Sequence, residues 1–485
     1  MPWIQRISVL VATCAVAVWC ANSATDDAPA ATDAPAALAW SPCADLAAPD
    51  DGRVWECATL PVPLDHARPD GPAIDLAVLR SRTADPARRL GSLVYNPGGP
   101  GGSGFEHAPA VAARFAGLLD RYDLVSWDPR GVGRSAPITC EQPELPARVP
   151  RTDAEWAELD AASLRFADSC VNGSGRLLPH VGLADSARDL DLIRAALGER
   201  RLDFLGVSYG GQLGAAYATL APERVGRMVL DAPGTPLREF RRTLLDQAAG
   251  MEAALRDFVR FCLDDGQCPL GRDENAALDG TDRFLSALDT ESSDLDRATA
   301  TAALGIALSA PETWPHLELA LGRALAGDGS ELAGYAALFT GRRADGTFSN
   351  FAAANTAINC ADYPDIYTVA QIRDLMPEFA RVSPRFGELT GLRLAECARW
   401  PVHGVGRVAL DGGGAPTVLV VGATGDPQAR YEWVTEVAEH LRPATLLTYD
   451  GPGHGAYGGV DPCVDRVVED YLREGVVPAE GARCP

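Results

Sequence analysis

At 485 residues, with 47% hydrophobic and 22% charged side chains, the chain suits one large α/β domain carrying an insertion, or two or three domains, and is too apolar for global disorder. Its formal net charge of −23 argues against nucleic acid and anionic membrane surfaces as partners. All 43 basic residues are arginine, which excludes Schiff-base chemistry, pyridoxal phosphate attachment and a Walker lysine. No HExxH, CxxC or other metal-ligand spacing occurs, so neither a metal nor another cofactor is expected.

The chain opens with Arg6 and an apolar run from Ile7 to Cys20, followed by small residues at Ala21–Ala24. That pattern predicts an export signal over residues 1–23, because a run of about 14 residues is short for a membrane span. Membrane attachment would require lipidation of Cys20, and Trp19 before it is a poor fit to such processing. An Ala-, Asp-, Pro- and Thr-rich stretch over 24–37 reads as a flexible tether. Ten cysteines follow, an even number that predicts disulfides in an exported chain. Sequential pairing closes the shortest loops: Cys43–Cys57, Cys140–Cys170, Cys262–Cys268, Cys360–Cys397 and Cys463–Cys484.

Strand-like and helix-like segments then alternate. Strands are predicted over Trp55–Leu64, Ile74–Arg80, Gly91–Tyr95, Tyr122–Trp127, Leu202–Val207 and Val225–Leu230, with a helix over Leu183–Leu197. This alternation predicts a mainly parallel sheet wrapped by helices. Residues 234–400 change in texture to an Ala- and Leu-rich helical period, read as an inserted helical cap. Strand character returns at Thr417–Val421 and Thr445–Tyr449. The division expected is a core over 38–233, the cap over 234–400, and the remainder of the core over 401–485.

Chemistry is concentrated in the turns after these strands. Gly206-Val207-Ser208-Tyr209-Gly210 joins a strand to a helix with Gly-x-Ser-x-Gly spacing, which lifts a serine hydroxyl out of a sheet on a strained turn. A serine nucleophile needs a base, and the base an orienting acid, in chain order Ser, Asp or Glu, His. His454, in a glycine-flanked loop directly after the last strand, is the base candidate; His440 reads as a helix-surface residue. Asp426, in the loop after Thr417–Val421, is the acid candidate, with Asp411 and Asp450 as nearby alternatives. Asn96-Pro97-Gly98-Gly99-Pro100-Gly101-Gly102-Ser103-Gly104 supplies bare backbone after another strand. The N–H of Gly99 there and that of Tyr209 are the expected oxyanion donors. Asp128 and Arg130, in Asp128-Pro129-Arg130-Gly131-Val132-Gly133-Arg134-Ser135, are expected to brace these loops.

Together, NPGGPGGSG, DPRGVGRS, GVSYGG, the late GDP and the GHG followed by Cys463 and Cys484 resemble the secreted α/β-hydrolases of the tripeptidyl aminopeptidase type, relatives of the prolyl iminopeptidases. The resemblance runs from about Cys57 to Cys484. It implies a serine exopeptidase that releases short peptides from free N-termini under a helical cap, with Ser208, Asp426 and His454 as its triad. Where such proteins often read Asp-Pro-x-Thr-Pro, this chain continues Asp426-Pro427-Gln428-Ala429-Arg430. A carboxylesterase with the same triad is the alternative, and a non-catalytic binding protein on a hydrolase scaffold a further one. An exopeptidase needs a carboxylate for the substrate amine; Asp362, beside Cys360 and Pro364, is the candidate, against a plain helix-capping role.

Overall fold

The computed structural model describes residues 37–485 apart from 144–145, 265, 267, 290–294, 344, 403–405 and 407. The expected export signal, Cys20 and all of the expected tether except Ala37 lie outside the described residues.

Ten strands form one sheet: β1 Ser41–Pro42, β2 Trp55–Pro63, β3 Ala73–Ser81, β4 Gly91–Asn96, β5 Tyr122–Trp127, β6 Leu202–Val207, β7 Val225–Asp231, β8 Val418–Gly425, β9 Ala444–Pro452 and β10 Arg483–Cys484. Their order across the sheet is β1-β2-β3-β5-β4-β6-β7-β8-β9-β10. Pairing is antiparallel from β1 to β5 and parallel from β5 through to β10. Every residue of β4 and β5 is buried, which explains their continuous apolar runs, since a parallel strand is covered on both faces. Alternate side chains divide between two cores. Val94, Phe204, Leu230 and Val420 join one, while Leu93, Leu205, Val229 and Val421 join the other. Each fully buried side chain of this size contributes roughly 1.5–3 kcal/mol of transfer free energy.

The helices of the core are α1 Gly104–Val111, α2 Ala116–Leu119, α3 Asp153–Ser174, α4 Leu183–Ala196 and α5 Tyr209–Leu220. Between β7 and β8 the described residues form eight more: α6 Phe240–Asp264, α7 Glu274–Ala287, α8 Arg297–Leu308, α9 Trp314–Leu325, α10 Ser330–Thr340, α11 Phe351–Asp362, α12 Val369–Val382 and α13 Gly387–Leu392. The last two are α14 Tyr431–His440 and α15 Pro462–Glu474. Helix α3 lies in the stretch read as core, yet its Trp156, Leu159 and Phe166 share a hydrophobic cluster with Ile358 of α11 and Ile372 and Phe379 of α12. Ion pairs Arg373–Asp153 and Arg399–Asp160 run along that contact.

Five disulfides join Cys43–Cys57, Cys140–Cys170, Cys262–Cys268, Cys360–Cys397 and Cys463–Cys484, the sequential pattern expected from short loop closure. Such bonds persist in oxidising compartments, which accords with an exported protein.

Candidate active site

The tight crossing of β6 into α5 forces Ser208 to φ 60° and ψ −122°, a conformation that costs a non-glycine residue about 1–3 kcal/mol. The flanking glycines are dictated by contact. A Cβ at Gly206 would lie 2.3 Å from the Gly210 carbonyl oxygen, and one at Gly210 would lie 2.4 Å from that of Asn96. Backbone bonds fix the turn from the next strand: Ser208 N–H donates to the Asp231 carbonyl at 2.9 Å, and Gly234 N–H donates to the Ser208 carbonyl at 3.1 Å. The Ser208 hydroxyl has no hydrogen-bond partner among the described residues. It opens onto a cavity of about 1180 Å³ that His454 also lines.

Asp426, fully buried after β8, accepts the backbone N–H groups of Gln428 at 2.8 Å and Ala429 at 2.9 Å. The remaining acceptor capacity of its carboxylate faces Nδ1 of His454, 2.9 Å from Oδ2 and 3.1 Å from Oδ1. An ionised carboxylate there fixes the tautomer that carries the proton on Nδ1 and leaves Nε2 as a base. Burial pulls the His454 pKa down, but the charge and hydrogen bond of Asp426, with the charge of Asp231, carry it above the ordinary histidine value. The cap also holds this loop, since His454 N–H donates to the Ser309 carbonyl at 2.8 Å and Gln428 Nε2 donates to Ser309 Oγ at 3.1 Å. Of the alternatives for the acid, Asp450 pairs with Arg483, and Asp411 accepts the N–H of Gly413 in its own turn. His440 is exposed at the end of α14.

The glycine-rich loop after β4 lies directly against the elbow. At Gly98, where φ is +89°, a Cβ would sit 2.4 Å from the Val207 carbonyl oxygen and 2.9 Å from Tyr209 N. The N–H groups of Gly99 and Tyr209 have no acceptor among the described residues, and both residues line the cavity. Two free donors beside a serine hydroxyl can stabilise an oxyanion. Asp128 ties the loops together, accepting from Ser103 Oγ at 2.6 Å and from Arg134 N–H at 2.7 Å. Arg130 makes a fully buried pair with Asp189 at 2.6 Å.

Asp362 stands apart from the other candidates. It ends α11 behind Tyr209, away from the cavity lining, and both of its oxygens are engaged. Oδ1 accepts Leu183 N–H at 2.7 Å and Oδ2 accepts the Tyr209 hydroxyl at 2.7 Å. Each carboxylate oxygen thus already holds one protein donor, and these contacts favour a bracing role at the elbow over receipt of a substrate amine. The same helix reaches the oxyanion loop at its other end, where Asn355 Nδ2 donates to the Pro100 carbonyl at 2.8 Å. Sequence reasoning missed Ser309 and Gln428, which no motif marks. It also missed Asp231, whose one signal is a carboxylate ending the apolar strand beside the elbow.

A model of the TAP-like protein family matches residues 383–484. Serine protease Hip1 of Mycobacterium tuberculosis is 35% identical over 455 residues, covering 88% of this chain and 87% of its own length. Tripeptidyl aminopeptidase of Streptomyces coelicolor is 34% identical over 487 residues, covering 94% and 87%. Carboxylesterase B of Mycobacterium tuberculosis is 33% identical over 470 residues, covering 92% and 89%. With this similarity over nearly the whole chain, and an elbow serine in a mostly parallel sheet, the protein belongs to the TAP-like family of α/β-hydrolases and is a serine hydrolase.

Proposed function

We propose that the protein is an exported peptidase in which Ser208 is the nucleophile, His454 the general base and Asp426 the orienting acid. Ser208 Oγ attacks the scissile carbonyl as His454 Nε2 takes its proton. The oxyanion is held by the N–H groups of Gly99 and Tyr209. The imidazolium then gives that proton to the leaving amine, and water activated by the same histidine hydrolyses the acyl-enzyme. The observation that carries this reading is that the strained Ser208 and the Asp426-bound His454 open onto one cavity.

Peptides are favoured as substrates by what lines that cavity. Of its carboxamides, Asn350 and Asn355 are held by the protein through both oxygen and nitrogen, whereas Gln247, Asn359 and Gln428 are held through nitrogen and keep their oxygens. The oxygens that remain are acceptors for the N–H groups of an extended chain. Two of the relatives carry peptidase names, and release of short peptides from free N-termini is the finer reading they support. The carboxylesterase relative favours a second reading, ester hydrolysis by the same triad. Export through the N-terminal segment is supported by the five disulfides.

The test compares a free tripeptide amide, its N-acetylated form and a short acyl ester, with fluorophosphonate labelling of Ser208 as the control. Cleavage of the free peptide and not of its N-acetylated form is the expected result. Equal cleavage of both peptides refutes recognition of the amine, and cleavage of the ester alone moves the function to the second reading.

A further inference from the structure

Asp231 ends β7 beside the elbow, paired in register with Val207 on one side and Val421 on the other. It is 1% exposed. Its carbonyl oxygen accepts the Ser208 N–H at 2.9 Å. Its carboxylate points the other way, into the loop of the histidine. There it accepts the N–H of Ala456 at 3.1 Å and 3.0 Å and that of Tyr457 at 3.0 Å, two and three residues beyond His454. At the intervening Gly455, a Cβ would lie 3.4 Å from Asp231 Oδ2. One residue therefore joins the backbone of the serine to the backbone that carries the base.

We propose that Asp231 is a positioning residue of the reaction, tying the nucleophile to the base loop and adding a second buried negative charge that, with Asp426, stabilises the imidazolium formed when His454 takes the serine proton. This rests on the assignment of Ser208, His454 and Asp426 given above. Two backbone donors could be met by a neutral acceptor such as asparagine, without the desolvation cost of a buried charge. The charge works against the resting enzyme, because Asp231 and Asp426 repel each other while His454 is neutral. Once the imidazolium forms, both carboxylates have a cation to balance. An interaction stronger in the transition state than in the ground state is one that accelerates the chemical step. Burial, with the charge of Asp426 adding, raises the Asp231 pKa to about 6, while the two backbone donors and the His454 charge oppose that rise. The other titratable groups facing Asp231 are Tyr95 and Tyr457, both held neutral by burial. His454 is faced by Asp426 and Asp231.

The experiment measures kcat and KM against pH for the parent, Asp231→Asn, Asp426→Asn and Ser208→Ala on a tripeptide amide and an activated acyl ester. Asp231→Asn removes the charge and keeps one acceptor oxygen, which at the Oδ2 position reaches the N–H groups of both Ala456 and Tyr457. It is expected to lower kcat by about 10- to 100-fold with KM changed less than about 3-fold. The acid limb of kcat/KM should move to lower pH by roughly one unit, because a lost neighbouring carboxylate makes the imidazolium easier to deprotonate. Should Asp231→Asn not fold, Asp231→Ser keeps an acceptor and carries the same test. An inactive Ser208→Ala together with an unmoved acid limb in the Asp231 variant overturns this inference alone. An active Ser208→Ala overturns the triad assignment beneath it.

Discussion

Replacing Asp362 by asparagine should change how stability depends on pH. Burial raises the Asp362 pKa to about 7 from an ordinary 3.8, against the opposing hydrogen bonds from Leu183 and Tyr209. The folded state therefore holds the proton more tightly than the unfolded chain. That contribution is fully present below about pH 4 and is lost as pH rises through about 7. A gap of about three pH units corresponds to roughly 4 kcal/mol, of which about 3 kcal/mol falls between pH 5 and pH 8. Asparagine is neutral throughout. Its oxygen can accept the Leu183 N–H and its amide can donate to the Tyr209 hydroxyl, so the slope disappears while the contacts remain. Urea unfolding followed by tryptophan fluorescence, with disulfides intact, gives the difference between variant and parent at pH 5, 6, 7 and 8. The variant should gain about 3 kcal/mol on the parent across that range. All other titrating groups cancel in the difference, so one that stays constant with pH refutes the reasoning. KM for a free-amine peptide should not change, because Asp362 lies off the cavity. A higher KM at constant kcat would restore it as the amine receptor.

Ser208→Ala and Asp426→Asn should each leave a folded protein with kcat reduced by roughly 10³-fold or more, measured on purified protein with its circular dichroism unchanged. Activity should fall as pH drops through the His454 pKa, because imidazolium cannot accept the serine proton. That acid limb should lie above the ordinary histidine value in a pH profile of kcat/KM. Gly98→Ala places a Cβ 2.4 Å from the Val207 carbonyl oxygen and 2.9 Å from Tyr209 N, which must push the loop off the elbow. A kcat loss of about 100-fold with intact secondary structure is expected, comparable to removing one oxyanion donor.

The sheet was readable because its central strands are buried on both faces. Leu202–Val207 and Tyr122–Trp127 stand as apolar runs bounded by turns, and each is a strand with those limits. The two-residue strands at the edges, Ser41–Pro42 and Arg483–Cys484, are too short to show any period. The candidate serine, acid and histidine stood out for a related reason. Close backbone approach imposes Gly206, Gly210 and Gly425, positive φ favours Gly453 and Gly455, and such constraints leave a local pattern.

What could not be read locally is what arrives from elsewhere in the chain. Asp362 is followed by the sequence of a rigid turn, and only the arrival of the Tyr209 hydroxyl, 153 residues away in sequence, decides that its lone pairs face the elbow. Ser309 has no motif, yet its carbonyl takes the N–H of His454 across the insertion. Helix α11 bears on both candidate oxyanion donors, through Asn355 at the Pro100 carbonyl and Asp362 at the Tyr209 hydroxyl. A cap that only roofed the site could be moved without touching the chemistry. This one supplies hydrogen bonds to the base loop, the acid loop and the oxyanion loop, so displacing it loosens every group the serine needs. Under the proposed triad, the insertion belongs to the catalytic framework through the Ser309 carbonyl and hydroxyl, the Asn355 carboxamide and the Asp362 carboxylate, none of which a motif marks.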